Sequence, residues 1–364
     1  MHSMPVDHDL LIALLSYANV SNTALQWFSS YLQGRQQSVR VGQTFSDGHD
    51  VTAGVPQGGI LSPLLFSIFI NSITSILNTR YHLYADDLQL YEHASVDNIV
   101  GVINSLNNNL HNISVWSRKY GICVNPDKCQ AIIIGSSRQL SKLDHSKLPN
   151  ITYNGTTINF TTTVKDLGII IDDKLTWSNY VAEISRKVYA SLHSMMRLKN
   201  FLPMQTKLQL VNTLLLPIVD YGDACCLDLN KDLLNKLERI LNTCIRFVYG
   251  LRKYDRISSC RRQLGWLSVV DRRRSRVLCL LYSILFDPQS PTYLSSDFAF
   301  LSSFHNRSLR SQSNLMLATP RHTSGFMSDS FAVAGVRLWN ELPELIRRAP
   351  SREVFKRRVK EHFF

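Results

Sequence analysis

Apolar positions recur at helical spacing over residues 9–17 (Leu10, Leu11, Leu14, Leu15) and 22–33 (Leu25, Trp27, Phe28, Leu32). This predicts two amphipathic helices, with Asp7 and Ser21 as N-caps and Gly34 closing the second. Residues 37–41 and 50–53 read as two strands of a hairpin that turns near Asp47-Gly48. A Gly-rich stretch then feeds a helix over 63–77, with Ser62 as N-cap and Pro63 at the first helical position. Apolar alternation on both sides of Tyr84-Ala85-Asp86-Asp87 predicts a β-hairpin whose turn carries the aspartates. A long helix is expected over 95–120, ending at Gly121, with Ile103, Leu106, Leu110, Ile113 and Trp116 on one face. Further on, 131–134 and 164–172 read as strands, 136–149 as a polar loop, and Asn154-Gly155 as a hairpin turn within 151–158. From Trp177 the pattern is nearly all helical: 179–201, then 205–216 stopped by Pro217, then 231–249. The last has Leu233, Leu237, Leu241 and Ile245 on one face, with Lys236, Arg239 and Arg246 turned away from it.

Composition narrows the class. A length of 364 residues with 45% hydrophobic content describes a globular chain of two or three domains. No apolar run reaches membrane-spanning length, and no signal peptide is read near the start. The seven cysteines show neither a metal-type spacing nor a disulfide framework, so a reduced intracellular setting is expected, nucleus or cytoplasm, not secretion. The net charge of +12 is uneven. Residues 1–135 carry 6 Lys/Arg against 9 Asp/Glu, whereas 136–364 carry 34 against 19, which splits the chain into an acidic half and a polyanion-gripping half. Arg272-Arg273-Arg274-Ser275-Arg276 reads either as a charged helix face or as a nuclear-localisation patch.

Two carboxylates on a tight turn make a hard, oxygen-rich site of the kind a divalent cation prefers, although adjacent aspartates in a surface turn also occur simply as solvated side chains. Cations at such a site can clamp both oxygens of an in-line phosphoryl transfer. The double glycine Gly58-Gly59 ahead of a helix N-terminus lets backbone approach a phosphate or nucleotide.

Taken together, Val55-Pro56-Gln57-Gly58-Gly59-Ile60-Leu61-Ser62-Pro63-Leu64-Leu65-Phe66 and Tyr84-Ala85-Asp86-Asp87 resemble motifs B and C of the reverse transcriptases of non-LTR retrotransposons, LINE-type and jockey- or CR1-like. Residues 121–130 resemble motif D and 164–172 motif E. The resemblance implies an α+β fold: a reverse-transcriptase palm over 1–178, an antiparallel sheet with packed helices, and then an all-helical basic thumb over 179–287. A linker over 288–330 and a basic helical segment over 331–364 would follow. It implies RNA-directed DNA polymerisation with Mg²⁺ or Mn²⁺, an RNA template, a DNA primer and dNTPs. Asp86 and Asp87 would hold metal, Gln57, Gly58, Gly59 and Tyr84 would line nucleotide and template, and Lys128 would protonate the leaving pyrophosphate. Lys236, Arg239 and Arg246 of the thumb would track the phosphates of the hybrid.

One part of the pattern departs. Where the family reads Phe-Asp-x-Val-Asp-His in motif A, this chain reads Ser3-Met4-Pro5-Val6-Asp7-His8, so Met4 stands at the place of the metal-binding aspartate. The fingers that precede motif A are not found either, which leads to the expectation of an N-terminally truncated, defective polymerase. The alternatives are a non-catalytic protein that binds RNA or RNA·DNA hybrid and, less favoured, a metal-dependent nuclease.

Overall fold

The computed structural model describes residues 6–303 and 314–364, so Met4 and the central part of the expected linker lie outside the described residues. The chain divides into two compact units, 1–164 and 165–364, each with its own apolar core.

The first unit mixes helices with short antiparallel hairpins. Helices His8–Tyr17 and Asn22–Leu32 begin where expected: Asp7 and Ser21 accept from the backbone N–H groups of Leu10 and Ala24. Leu11 and Leu15 then join Leu65, Phe69 and Ile70 of helix Ser62–Asn71 and Ile103, Ile113 and Trp116 of helix Ile99–Tyr120 in one core. Helix 62–71 stops short of Leu77 and tightens into a 3₁₀ turn over Ser72–Ile76. Three hydroxyls turn back onto carbonyls there, Ser72 to Phe69, Thr74 to Asn71 and Ser75 to Ser72, each at 2.8 Å. Such local bonds compete with α-helical ones, which the apolar periodicity alone does not register.

The strands depart from the expectation of one palm sheet. Among the described residues they form five separate two-stranded sheets. Gln36–Gln37 pairs with His49–Asp50, and Arg40–Val41 with Thr44–Phe45. The turn therefore lies at Gly42-Gln43, not at Asp47-Gly48. Between the two ladders Ser46 takes over: its backbone N–H donates to the Val39 carbonyl and its Oγ accepts from the Val39 N–H, both at 2.9 Å. The 131–134 strand reduces to a single parallel bridge from Ala131 to Phe160. Asn154-Gly155 does make a hairpin turn, with both residues at positive φ. The stretch 164–172 is a hairpin too, Thr163–Asp166 with Ile169–Asp172, because Leu167 (φ +43°) and Gly168 (φ +89°) reverse the chain.

The second unit is helical beyond Asp172. That buried carboxylate accepts from the backbone N–H groups of Lys174, Thr176 and Trp177, which turns the chain out of the hairpin into helix Ser178–Met196. Pro217 does not end the next helix. Met204–Leu210 passes through a π turn at Val211–Leu215 into Leu216–Asp220, and the wider turn accommodates the proline, whose ring cannot follow an α-helical interior. Helix Lys231–Tyr249 has the expected bounds, with Leu233, Leu237, Ile240, Leu241, Cys244, Ile245 and Val248 buried against helix 178–196 and its neighbours. A further apolar cluster joins helix Val269–Phe286 to helices Phe331–Glu341 and Arg352–Phe363 through Leu281, Tyr282, Trp339 and Phe355. Leu317 is buried in it and bridges to Phe300, so the described parts of 288–330 are partly ordered against this core.

The arginine run at 272–276 is a charged helix segment that is largely engaged in ion pairs. Arg272 makes a bidentate pair with Asp220 at 2.6 and 2.5 Å. Arg273, itself buried, pairs with buried Asp223 at 2.6 Å and donates to the Cys226 carbonyl. Arg276 reaches Asp223 at 3.0 Å. Among the described residues only Arg274 of the four keeps no tight partner, lying 3.9 Å from Asp271. Desolvation pushes the Asp223 carboxyl up to about 6 in spite of Arg273, the sign of a pair that costs much of what it gains.

Removing one partner leaves the other charge buried. Asp223→Ala is therefore expected to destabilise the second unit by about 3–5 kcal/mol in a urea titration of the full chain. The double change Asp223→Leu with Arg273→Met, which removes both charges, is expected to recover most of that loss. A double variant as unstable as the single one would show that the pair itself stabilises the fold.

Candidate functional site

The site grows from a turn. Strands Arg80–Tyr84 and Asp87–Tyr91 pair in a register that sets Leu83 opposite Leu88 and Tyr84 opposite Asp87. Alternation then sorts the faces. Leu83, Leu88 and Leu90 pack on the core of the first unit, while Tyr84 and Asp87 share the outward face with His82 and Tyr91, whose rings stack at 5.0 Å. The two-residue turn is Ala85-Asp86. Ala85 takes the left-handed conformation at φ +52°, which costs a residue with a β-carbon roughly 1–2 kcal/mol. The turn sets the consecutive residues Asp86 and Asp87 at the hairpin tip, both exposed.

The Gly-rich loop is folded by its own bonds. The Gly59 N–H donates to the Pro56 carbonyl at 3.1 Å, the Ser62 N–H to the Gly59 carbonyl at 3.2 Å, and Ser62 Oγ to the Pro56 carbonyl. Ser62 is thus spent on the loop, and Leu61 takes the N-cap place expected for it. Gly59 is closely approached by two hydroxyls. A β-carbon there would stand 2.7 Å from Ser62 Oγ and 2.8 Å from the Tyr31 hydroxyl. Gln57 and Gly58 are exposed at the crest, and Gly58 holds φ +82° with open space around it.

Lys128 is exposed on a 3₁₀ turn, Pro126–Lys128, that Asn125 caps by accepting from the Asp127 N–H. Hairpin, loop and the segment after Lys128 all rest on one core, through Leu83 and Leu88, Leu61 and Leu65, and Cys129 and Ala131. The basic residues of helix 231–249 belong to the other unit. Lys236 and Arg239 are exposed there, while Arg246 is half-buried with its Nε enclosed and without a hydrogen-bond partner.

Val6-Asp7-His8 has a structural part that sequence reasoning missed. The Gly54 N–H donates to the Val6 carbonyl at 2.7 Å, Asp7 bridges Ala53, and His8 Nε2 lies 2.8 Å from the Gly54 carbonyl. This segment anchors the stretch Ala53-Gly54 that leads into the Gly-rich loop. The Asp7 carboxylate is engaged in capping helix 8–17. Nothing in the local sequence signals these bonds, because their partners lie 46 residues apart.

Oxygen donors on a rigid turn suit a hard divalent cation, and Asp86 and Asp87 are such donors. Among the described residues no group of three or more His, Cys, Asp or Glu side chains is arranged to hold a metal. Also among the described residues, no helix is long and apolar enough to cross a membrane.

Comparison with known proteins gives this geometry its context. Residues 5–171 match the family model of reverse transcriptase (RNA-dependent DNA polymerase). The chain is 26% identical over 228 residues to the "RNA-directed DNA polymerase from mobile element jockey" of Drosophila funebris, a match covering 58% of this chain and 24% of that protein. It is 25% identical over 255 residues to the "Probable RNA-directed DNA polymerase from transposon X-element" of Drosophila melanogaster, covering 66% of this chain and 26% of that protein. The jockey polymerase of Drosophila melanogaster is 25% identical over 246 residues, covering 65% of this chain and 26% of that protein. The matched stretch thus spans about a quarter of the length of these curated relatives. Residues 5–171, which contain the Gly-rich loop and the aspartate hairpin, are thus similar to a reverse transcriptase domain, and RNA-directed DNA polymerases of mobile elements are the chain's relatives.

Proposed function

We propose that this chain is the part of a retrotransposon RNA-directed DNA polymerase that holds template, primer and nucleotide, and that as it stands it extends a primer poorly. The observation that carries the reading is the tight hairpin presenting Asp86 and Asp87, in a stretch that matches the reverse transcriptase family model and with a Gly-rich loop on the same core. Reverse transcriptases generally use divalent metal ions. Here Asp86, with Asp87 beside it, would hold Mg²⁺ or Mn²⁺, which when bound supplies charge stabilisation to the in-line transfer from dNTP to a primer 3′-hydroxyl. The rest follows from the chain's own groups. Gln57 and the side-chain-free Gly58 and Gly59 let a base pair lie close to backbone. Tyr84, opposite Asp87 on the outward face, flanks the same approach. Lys128, exposed and cationic, is the donor that would neutralise departing pyrophosphate. Lys236, Arg239 and Arg246 would contact hybrid phosphates, Arg246 with less reach because it is half-buried.

The impairment follows from ligand count. Asp7 caps a helix, Met4 offers no oxygen, and two adjacent carboxylates cannot bracket two metals as three can. A lost ligand costs several powers of ten in rate.

Extension of an oligo(dT) primer on poly(rA) by the intact chain is therefore expected to be at or near background with Mg²⁺ and with Mn²⁺, and Met4→Asp is expected to raise it. Ready extension by the unmodified chain, abolished by Asp86→Asn, would sink the claim of impairment. A second reading, binding without catalysis, is favoured by the exposed cations of helix 231–249 and is tested by salt. In a titration with RNA·DNA hybrid, Lys236→Ala with Arg239→Ala is expected to weaken binding and to shallow the log–log salt slope by about two. An unchanged slope would remove helix 231–249 from the interface.

A further inference from the structure

Among residues 1–79 the chain has only two Lys or Arg residues, Arg35 and Arg40. Both lie over aromatic rings. The Arg35 guanidinium sits 4.5 Å from the Tyr31 ring centroid and that of Arg40 sits 5.4 Å from Phe45. Tyr31 stacks in turn on Trp27 at 5.5 Å, with the rings within 10° of parallel. Trp27, Tyr31 and Arg35 recur every four residues, so they form one ladder along and just past helix Asn22–Leu32. Among the described residues neither guanidinium has a carboxylate within ion-pair distance. Arg35 Nε donates to the Tyr31 carbonyl, and Arg40 bonds to the Gly42 carbonyl and to Gln43.

The ladder reaches the Gly-rich loop, since the Tyr31 hydroxyl lies against Gly59. On its other side it runs into an arm, residues 35–50, in which every residue is exposed and which carries Phe45 and Arg40 near its tip. An uncompensated cation held over a ring offers charge to a phosphate, and the exposed Trp27 and Phe45 rings beside it offer faces on which an unpaired base can stack. A duplex keeps its bases inside and cannot use those faces. From this we infer that the Trp27–Tyr31–Arg35 ladder and the Arg40–Phe45 arm form a contact surface for a single-stranded nucleic acid, leading from the Gly-rich loop out along the arm. The inference rests on the reading that the chain engages nucleic acid, and the test below separates the two.

Trp27 makes the surface directly observable. It is 53% exposed, whereas Trp116, Trp177, Trp266 and Trp339 are at most 8% exposed, so iodide quenching of the intact chain reports Trp27. Titration with oligo(U) RNA of roughly 20 nucleotides is expected to change the Trp27 emission and to remove the iodide-accessible component, and Trp27→Phe is expected to abolish both signals. Arg35→Ala with Arg40→Ala, both at exposed positions, is expected to lower affinity about tenfold and to shallow the salt slope by about two, as read by anisotropy of labelled RNA. If labelled RNA binds while iodide access to Trp27 and the affinity of the double variant stay unchanged, the surface is not a contact, and the nucleic-acid reading stands on helix 231–249 alone. If labelled RNA does not bind the chain at all, both fall. If sedimentation shows a dimer that Phe45→Ser dissolves, with RNA leaving Trp27 accessible, the arm joins two copies of this chain and the inference is overturned.

Discussion

Everything at the candidate site depends on the packing of three leucines beneath a two-residue turn. Leu83, Leu88 and Leu90 are the inner face of the aspartate hairpin, and they rest on a core shared with helices 62–71 and 99–120. An isolated two-stranded ribbon is marginal in water at best. This one has no third strand among the described residues, so the apolar foot is what seats it on the core. A one-residue slip of register would turn the leucines out and Tyr84 and Asp87 in, and both the foot and the exposed carboxylate would be lost together. The chemistry of the tip and the burial of the base are two readings of one alternation.

The second unit shows the opposite use of charge. Its arginines are the most conspicuous feature of the composition, yet Arg272, Arg273 and Arg276 are engaged with Asp220 and Asp223, and Arg273 is buried. Arg261 pairs likewise with Glu238, and Arg347, buried in the C-terminal cluster, donates to the Asn314, Asn340 and Leu342 carbonyls. A net positive charge attracts a polyanion at long range whatever its pairing, but contact needs guanidiniums or ammoniums that face water. Helix 231–249 supplies these in Lys236 and Arg239, on the side away from a continuous apolar stripe.

How much of this was legible in the sequence depends on the range of the interaction. Local signals read well. Capping by Asp7 and Ser21, the turn at Asn154-Gly155, the bounds of helix 231–249 and the aspartate hairpin are each decided within a few residues. Errors appeared where a local alternative intervened or a distant partner decided. Ser62 left its capping place to bond within the loop, hydroxyls at 72–75 tightened a helix end, and a π turn carried a helix past Pro217. The Arg272–Arg276 run could not be read as an ion-pair network because its carboxylates lie about 50 residues upstream, at Asp220 and Asp223. The roles of His8 at Gly54 and of Tyr31 behind Gly59 were hidden for the same reason.

Gly59 shows how such a hidden contact narrows function. Its lack of a side chain first suggests only that a ligand can come close. The structure adds that the Tyr31 and Ser62 hydroxyls already stand close to where a β-carbon would come, so a side chain there would have to displace them. On the proposed reading a nucleotide would meet the loop on its exposed crest, at Gln57 and Gly58. The segment Ala53-Gly54, tied to Val6, Asp7 and His8, fixes the other end of the loop. Val6 and His8 thus have a part that requires no carboxylate: they hold the loop in place. On the proposed reading, the groups that fix the loop and the groups that would hold a metal are different residues, so binding and chemistry can be lost separately.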